Sequence, residues 1–185
     1  MTNLKYLGMS LIIIYGCYTH GPYVNFDRSF SLSDSSSTMA VMNFEYGGNF
    51  LSSRIALQAA YNLTSEIFIK KDIRVIDRSL VKDVLKKYEK SKPSLLSKEE
   101  IRKIGQELQA NYLILGSIQS IGSIDQYYDS RDYNVEITLR IVDIKDGKVV
   151  GIIRHQRKDD FDIQILVNRI IKDMVFYMRE WIRLA

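Results

Sequence analysis

Few residues in this 185-residue chain have the type and spacing needed for chemistry. There is one cysteine, Cys17, and there are two histidines, His20 and His155. A catalytic thiol needs a base beside it, and a metal site needs several His, Cys or carboxylate ligands at short spacing. Neither histidine has a second ligand at such spacing, and His155, on an alternating apolar segment, reads as a structural or surface residue. Gly47–Gly48 stand between an apolar run and a helical pattern, where a phosphate cradle could form. Neither the P-loop lysine nor GxGxxG accompanies them, so a loop turn is expected. Asp77–Arg78 follow another apolar run and suit a helix-start turn with an ion pair. The segment "DQYYDSRD", Asp125–Asp132, is more informative. Two adjacent tyrosines in a polar loop cannot both face a core easily, and exposed aromatics and arginines are favoured at protein interfaces. Tyr127, Tyr128 and Arg131 are therefore the candidate partner-binding residues; the alternative is that one ring covers the core. No catalytic residue, metal ligand or cofactor is expected, and an enzyme acting on a small ligand is the weakest of three readings.

The elements that must position these residues belong to one domain. Hydrophobic residues make up 46% of the chain and charged ones 26%, a balance suited to a single packed unit. Net charge is +4, with 26 basic residues interspersed among 22 acidic ones. A nucleic-acid surface needs clustered positive charge, so nucleic acid is not an expected partner. One cysteine cannot form an internal disulfide.

Ahead of Cys17 lie Lys5 and then the uncharged run Tyr6–Tyr15. Such a run has the length of a secretory signal core, about 7–15 residues, and falls short of the ~20 apolar residues that span a bilayer. Residues 18–37, including "SFSLSDSSST", have no sustained apolar period and read as a solvated tether. The thiol alone leaves open an intermolecular disulfide, a buried side chain or a modification made after synthesis.

Behind the tether, "TMAVMNFEY" is a buried strand closed by Gly47–Gly48. Ile55, Ala59, Leu63 and Ile67 recur at helical spacing. "IRVIDRS" is a second buried strand, after which Ser79 can cap a helix with Leu80, Val84 and Leu85 inside. "SKEE", Ser97–Glu100, is a capping box. "NYLILGSIQSI" is a strand, and "YNVEITLRIVDI" alternates with Val135, Ile137, Leu139 and Ile141 on one face. Asp146–Gly147 turns the chain into the paired strand "VVGIIRHQR". A helix from about Phe161 to Leu184 carries the stripe Leu166, Ile170, Met174, Met178 and Trp181. The order predicts a single α/β sandwich: a mixed sheet of about five strands, parallel in its first half and antiparallel in its second, with packed helices and a long C-terminal helix.

Two resemblances follow. Ile14, Gly16 and Cys17 resemble the lipobox of bacterial lipoproteins, with Tyr15 bulkier than usual. The resemblance implies cleavage before Cys17 and acylation of that residue, hence residues 1–16 as signal peptide, 17–37 as lipidated cysteine and tether, and 38–185 as the folded domain. Tyr18, where an aspartate would retain some lipoproteins at the inner membrane, points to the outer membrane, facing the periplasm. The alternatives are a plain signal peptide with an incidental cysteine, or a signal anchor. In addition, "MAVMNF", "IRVIDRSLVKDVL", "IGQELQANYLILGSI" and "ITLRIVDIKDGKVVG" resemble, in order, the CsgG/LpoB-like bacterial lipoprotein superfamily, which is also similar to the N-terminal domain of TolB. That resemblance implies a non-enzymatic, protein-binding envelope-assembly factor, best defined as a regulator of a peptidoglycan synthase. A CsgG-like curli or secretion component is the alternative. The partners it implies are the membrane, through Cys17, and an envelope protein; a homo-oligomer is left open.

Overall fold

The computed structural model describes residues 21–27, 37–48, 51–70, 73–88, 96–125, 130–159 and 162–184. Cys17, His20, Tyr127 and Tyr128 lie outside these residues, as do the side chains at 121–125 and 130–132, Arg131 among them. In chain order the elements are β1 (Tyr23–Phe26), β2 (Thr38–Val41), β3 (Glu45–Gly48), α1 (Ser53–Lys70), β4 (Arg74–Val75), α2 (Arg78–Lys86), α3 (Lys98–Glu107), β5 (Tyr112–Asp125), β6 (Ser130–Asp143), β7 (Val149–Asp159) and α4 (Ile163–Leu184).

The strands form one mixed sheet in the order β1-β7-β6-β5-β2-β4, with β3 pairing β5 beyond the end of β2. β4, β2 and β5 run parallel, whereas β5, β6, β7 and β1 are antiparallel neighbours. Alternation along each strand separates two cores. On one face Met39, Val41, Ile114, Ile118, Val135, Ile137 and Ile153 meet α1 and α4. On the other Ala40, Met42, Leu113, Leu115 and Val142 meet α2 and α3. An α/β sandwich is thus the observed architecture.

Local signals place most elements where the sequence does. Val135, Ile137, Leu139 and Ile141 are buried as their alternation requires. Ala59, Leu63 and Ile67 of α1 are buried, and so are Leu166, Ile170, Met174 and Met178 of α4. The Ser97 hydroxyl accepts from Glu100 N at 3.2 Å while the Glu100 carboxylate accepts from Ser97 N at 2.8 Å, completing the capping box. Gly147 turns between β6 and β7 with φ 68°, a left-handed value that favours glycine.

Four features differ. The sheet has seven strands among the described residues, not about five. The first addition, β1, lies within the expected tether and pairs antiparallel with β7 from Tyr23↔Arg154 to Phe26↔Gly151. The second, β3, contains Gly47–Gly48, which are a strand end rather than a loop turn: they pair with Gln119 and Ser120. "IRVIDRS" contributes only the two-residue edge strand β4. Finally, Asp77, not Ser79, caps α2; its carboxylate accepts from Ser79 N at 2.7 Å. Arg78, Val81 and Leu85 then face inward, and Leu80 is 58% exposed instead of buried.

Candidate protein-docking site

The sheet changes direction at β2. The helix after β2 packs on one face and the helix after its neighbour β4 on the other. In open α/β sheets the crevice at the carboxyl ends of two such strands is the usual ligand site. Here Arg78, the first residue of α2, occupies it. The side chain is 4% exposed; Nη1 donates to the Val41 carbonyl and Nη2 to Asn43 Oδ1. Its guanidinium carbon lies 5.3 Å from the centroid of the Tyr61 ring on α1. Burial pulls the guanidinium below its usual range, an effect opposed by Tyr61 and Asp77. The ion pair expected of Asp77–Arg78 is not a direct contact, since the Asp77 carboxylate is committed to Ser79.

With the crevice filled from within, the open surface lies beside it. A cleft of about 280 Å³ runs between Asn43, Phe44 and Tyr46 on the β3 side and Ser53, Ala56 and Leu57 at the start of α1. Further along α1, a second depression separates Thr64, Phe68 and Ile69 from Val75, Ile76 and Asp77. Leu57, Tyr61 and Phe68, 45%, 39% and 68% exposed, form a helical stripe joining the two. Tyr46, 44% exposed, extends it onto β3. A partly exposed set of Tyr, Phe and Leu flanked by polar groups suits protein recognition. Sequence reasoning assigned α1 by its inner stripe alone; the outer repeat Leu57–Tyr61–Phe68 was the available signal.

The β5–β6 hairpin leaves the sheet at the same end. Gly48 pairs with Ser120, the last β5 residue that β3 reaches, and the ribbon continues to Asp125↔Ser130. The segment expected as a polar loop is therefore partly strand: Asp125 and Ser130–Asp132, including Arg131, belong to the ribbon.

His155 lies apart from this surface. It is 5% exposed on β7, and its Nε2 lies 3.1 Å from Asp173 Oδ2 on α4. Arg157 Nη2 contacts the same oxygen at 2.6 Å. Burial holds the imidazole below its usual range, opposed by Asp173 and reinforced by Arg157. Ser120, whose buried hydroxyl has no partner among the described residues, sits two strands away, through Val135 to Arg157. Two strand spacings are about 10 Å, too far for a serine–histidine pair. The imidazole instead clasps α4 to the sheet. Among the described residues no group of three or more His, Cys, Asp or Glu could hold a metal ion, and no helix is long and apolar enough to cross a membrane.

The family model of the peptidoglycan-synthase activator LpoB matches residues 53–151, from the first residue of α1 to Gly151 in β7. No curated protein matches the chain significantly. Among solved structures, the lipoprotein GNA1162 from Neisseria meningitidis is similar with a TM-score of 0.55 at 11% identity, covering 78% of this chain and 99% of that one. The PelC dodecamer from Paraburkholderia phytofirmans gives 0.52 at 10% identity, covering 83% and 93%. The hypothetical protein CT253 from Chlamydia trachomatis gives 0.51 at 10% identity, covering 80% and 99%. At these identities the likeness is one of fold.

Proposed function

This chain belongs to the family of the peptidoglycan-synthase activator LpoB, and from that membership we propose that it is a non-enzymatic envelope lipoprotein that binds and activates a peptidoglycan synthase. The family match carries the reading, because it spans α1 and the β5–β6 ribbon, which border the exposed surface, and Arg78, which fills the crevice beside it. The surface supports the same reading: its exposed groups are aromatic and aliphatic, and the crevice where a small ligand would sit is filled by Arg78. In this proposal the partner meets the Tyr46–Leu57 cleft and the adjoining Tyr61 together with the ribbon tip, where Tyr127, Tyr128 and Arg131 supply contacts.

Residues 1–16 are proposed as signal peptide and Cys17 as the acylated anchor, holding the domain at the outer membrane on the periplasmic side. Two or three acyl chains suffice for stable attachment, since each buried methylene contributes about 0.8 kcal/mol. Self-association is also a proposal; the PelC relative is a dodecamer. No observation on the described residues favours the secretion-component alternative.

The decisive experiment measures glycan polymerisation by the host's bifunctional peptidoglycan synthases with and without the purified chain. Stimulation with co-purification of the synthase is expected. Absence of both across those synthases overturns the reading. Discrete single-channel conductance in bilayers would instead favour the secretion component.

A further inference from the structure

Strand β1 shortens the tether. A free segment from Cys17 to residue 37 would average roughly 25 Å between its ends. With Tyr23–Phe26 paired to β7, only residues 18–22 separate Cys17 from the sheet. The fixed chain begins earlier still, because Gly21 packs on α4: a Cβ built there would lie 2.8 Å from Tyr177 Oη. Whatever path residues 18–20 take, Cys17 lies within about 14 Å of Gly21. The headgroup layer of one leaflet is itself about 5–8 Å thick. An acylated Cys17 therefore holds the Tyr177 corner of the domain within about 6–9 Å of the headgroup surface.

That corner has chemistry suited to the position. Along α4, Ile165, Arg169, Lys172 and Phe176 recur on the outer face at helical spacing and are exposed. Phe176 and Tyr177 are 53% and 40% exposed and meet edge to face, with centroids 5.5 Å apart. Aromatic rings of this kind settle at headgroup depth, and Lys and Arg beside them are drawn to anionic lipid phosphates. The inner face of α4 is committed to the core through Leu166, Ile170, Met174 and Met178. The contact is thus peripheral.

We infer that the outer face of α4 around Lys172, Phe176 and Tyr177 is a membrane-docking surface, seated on the headgroups of the leaflet that holds the Cys17 acyl chains. The inference rests on the acylation of Cys17 proposed above.

The test uses the full acylated chain in vesicles of phosphatidylethanolamine and phosphatidylglycerol, after a fatty-acid label has been sought on Cys17. A fluorophore is placed through Lys172→Cys on α4 or through Lys103→Cys on α3, which packs on the opposite face of the sheet and is exposed. Nitroxide-headgroup lipids should quench position 172 several-fold more than position 103, and aqueous iodide should do the reverse. Adding Phe176→Ser and Tyr177→Ser should erase most of that contrast while the fatty-acid label persists. Equal quenching at both positions in labelled protein overturns the docking surface alone. Protection of position 172 from iodide without lipid quenching means that a second copy or a partner covers the face, which also overturns it. Failure to label Cys17 overturns the anchor, and the docking surface with it.

Discussion

The Tyr61 ring on α1 roofs the Arg78 guanidinium of α2 at 5.3 Å, so two helices on opposite faces of the sheet meet around one buried cation. Arg78→Ala would strand the Val41 carbonyl and Asn43 and open a void, at a cost of about 2–4 kcal/mol. Arg78→Lys should recover part of that loss, because one ammonium cannot reproduce the planar fork. Tyr61→Leu should cost only ~0.5–1 kcal/mol, the order of a single cation–π contact. Denaturant unfolding of the three variants checks the ranking; equal stability of Arg78→Ala and the parent would remove Arg78 from the centre of the fold.

A second relationship makes stability depend on pH. The folded state holds His155 below its usual value of 6.5, chiefly by burial. Between the folded and unfolded values the unfolded chain binds more protons, so stability rises with pH there. It should be undiminished above about 6.5, fall as pH drops below that, and level off once the folded value is passed. His155→Gln should flatten this part of the profile. Thermal unfolding at a series of pH values reads the effect, and an unchanged slope in the variant would assign the dependence elsewhere.

Gly48 has φ 100°, and a Cβ there would lie 1.7 Å from the Ser120 carbonyl oxygen. Backbone cannot yield as a flexible side chain can. Gly48→Ala should cost about 1–3 kcal/mol and act locally, freeing β3 from β5. Hydrogen exchange should then accelerate at Glu45–Gly48 and Ser117–Ser120 while β6 and β7 keep their protection.

Gly151 faces Phe26 across the β1–β7 pair, and a Cβ there would lie 2.4 Å from the Phe26 ring. Gly151→Val should displace that ring and release β1, with a stability loss of about 1–3 kcal/mol. Limited proteolysis should cut within Tyr23–Asp27 in the variant and spare the parent. Equal cleavage of both would show that β1 does not depend on this contact.

Replacing Tyr127 and Tyr128 together by serine should leave stability within about 0.5 kcal/mol and weaken partner capture by more than about 1 kcal/mol. Melting temperature and pull-down yield on one preparation separate this from the alternative. A large fall in melting temperature would make the ribbon tip a cover for the core and confine docking to the α1–β3 cleft.

Among local features, the amino-acid sequence by itself determined those that depend on residues a few positions apart. The Ser97–Glu100 box, the alternation of Val135 to Ile141, the Gly147 turn and the inner stripes of α1 and α4 are all of this kind, and the structure contains each of them. Each follows from bonds within one turn or from the period of one element. The four segments resembling the CsgG/LpoB-like superfamily were legible for a related reason, since their order and apolar pattern are themselves linear information, and three of the four lie within the residues matched to the LpoB family.

Tertiary structure alone decided the rest. β1 is four residues with no marked pattern, and it becomes a strand because the open edge of β7 offers it hydrogen bonds across more than a hundred residues of chain. β3 exists because β2 stops short and leaves the edge of β5 free beyond it. From its neighbours Arg78 reads as one half of a helix-start ion pair with Asp77. It is buried because the Val41 carbonyl and Asn43, 35 or more positions earlier, converge on it. That inward placement is also what turned Leu80 out to solvent. Pairings of this kind depend on which distant segments the sheet order brings together, and no window of neighbouring residues contains that information.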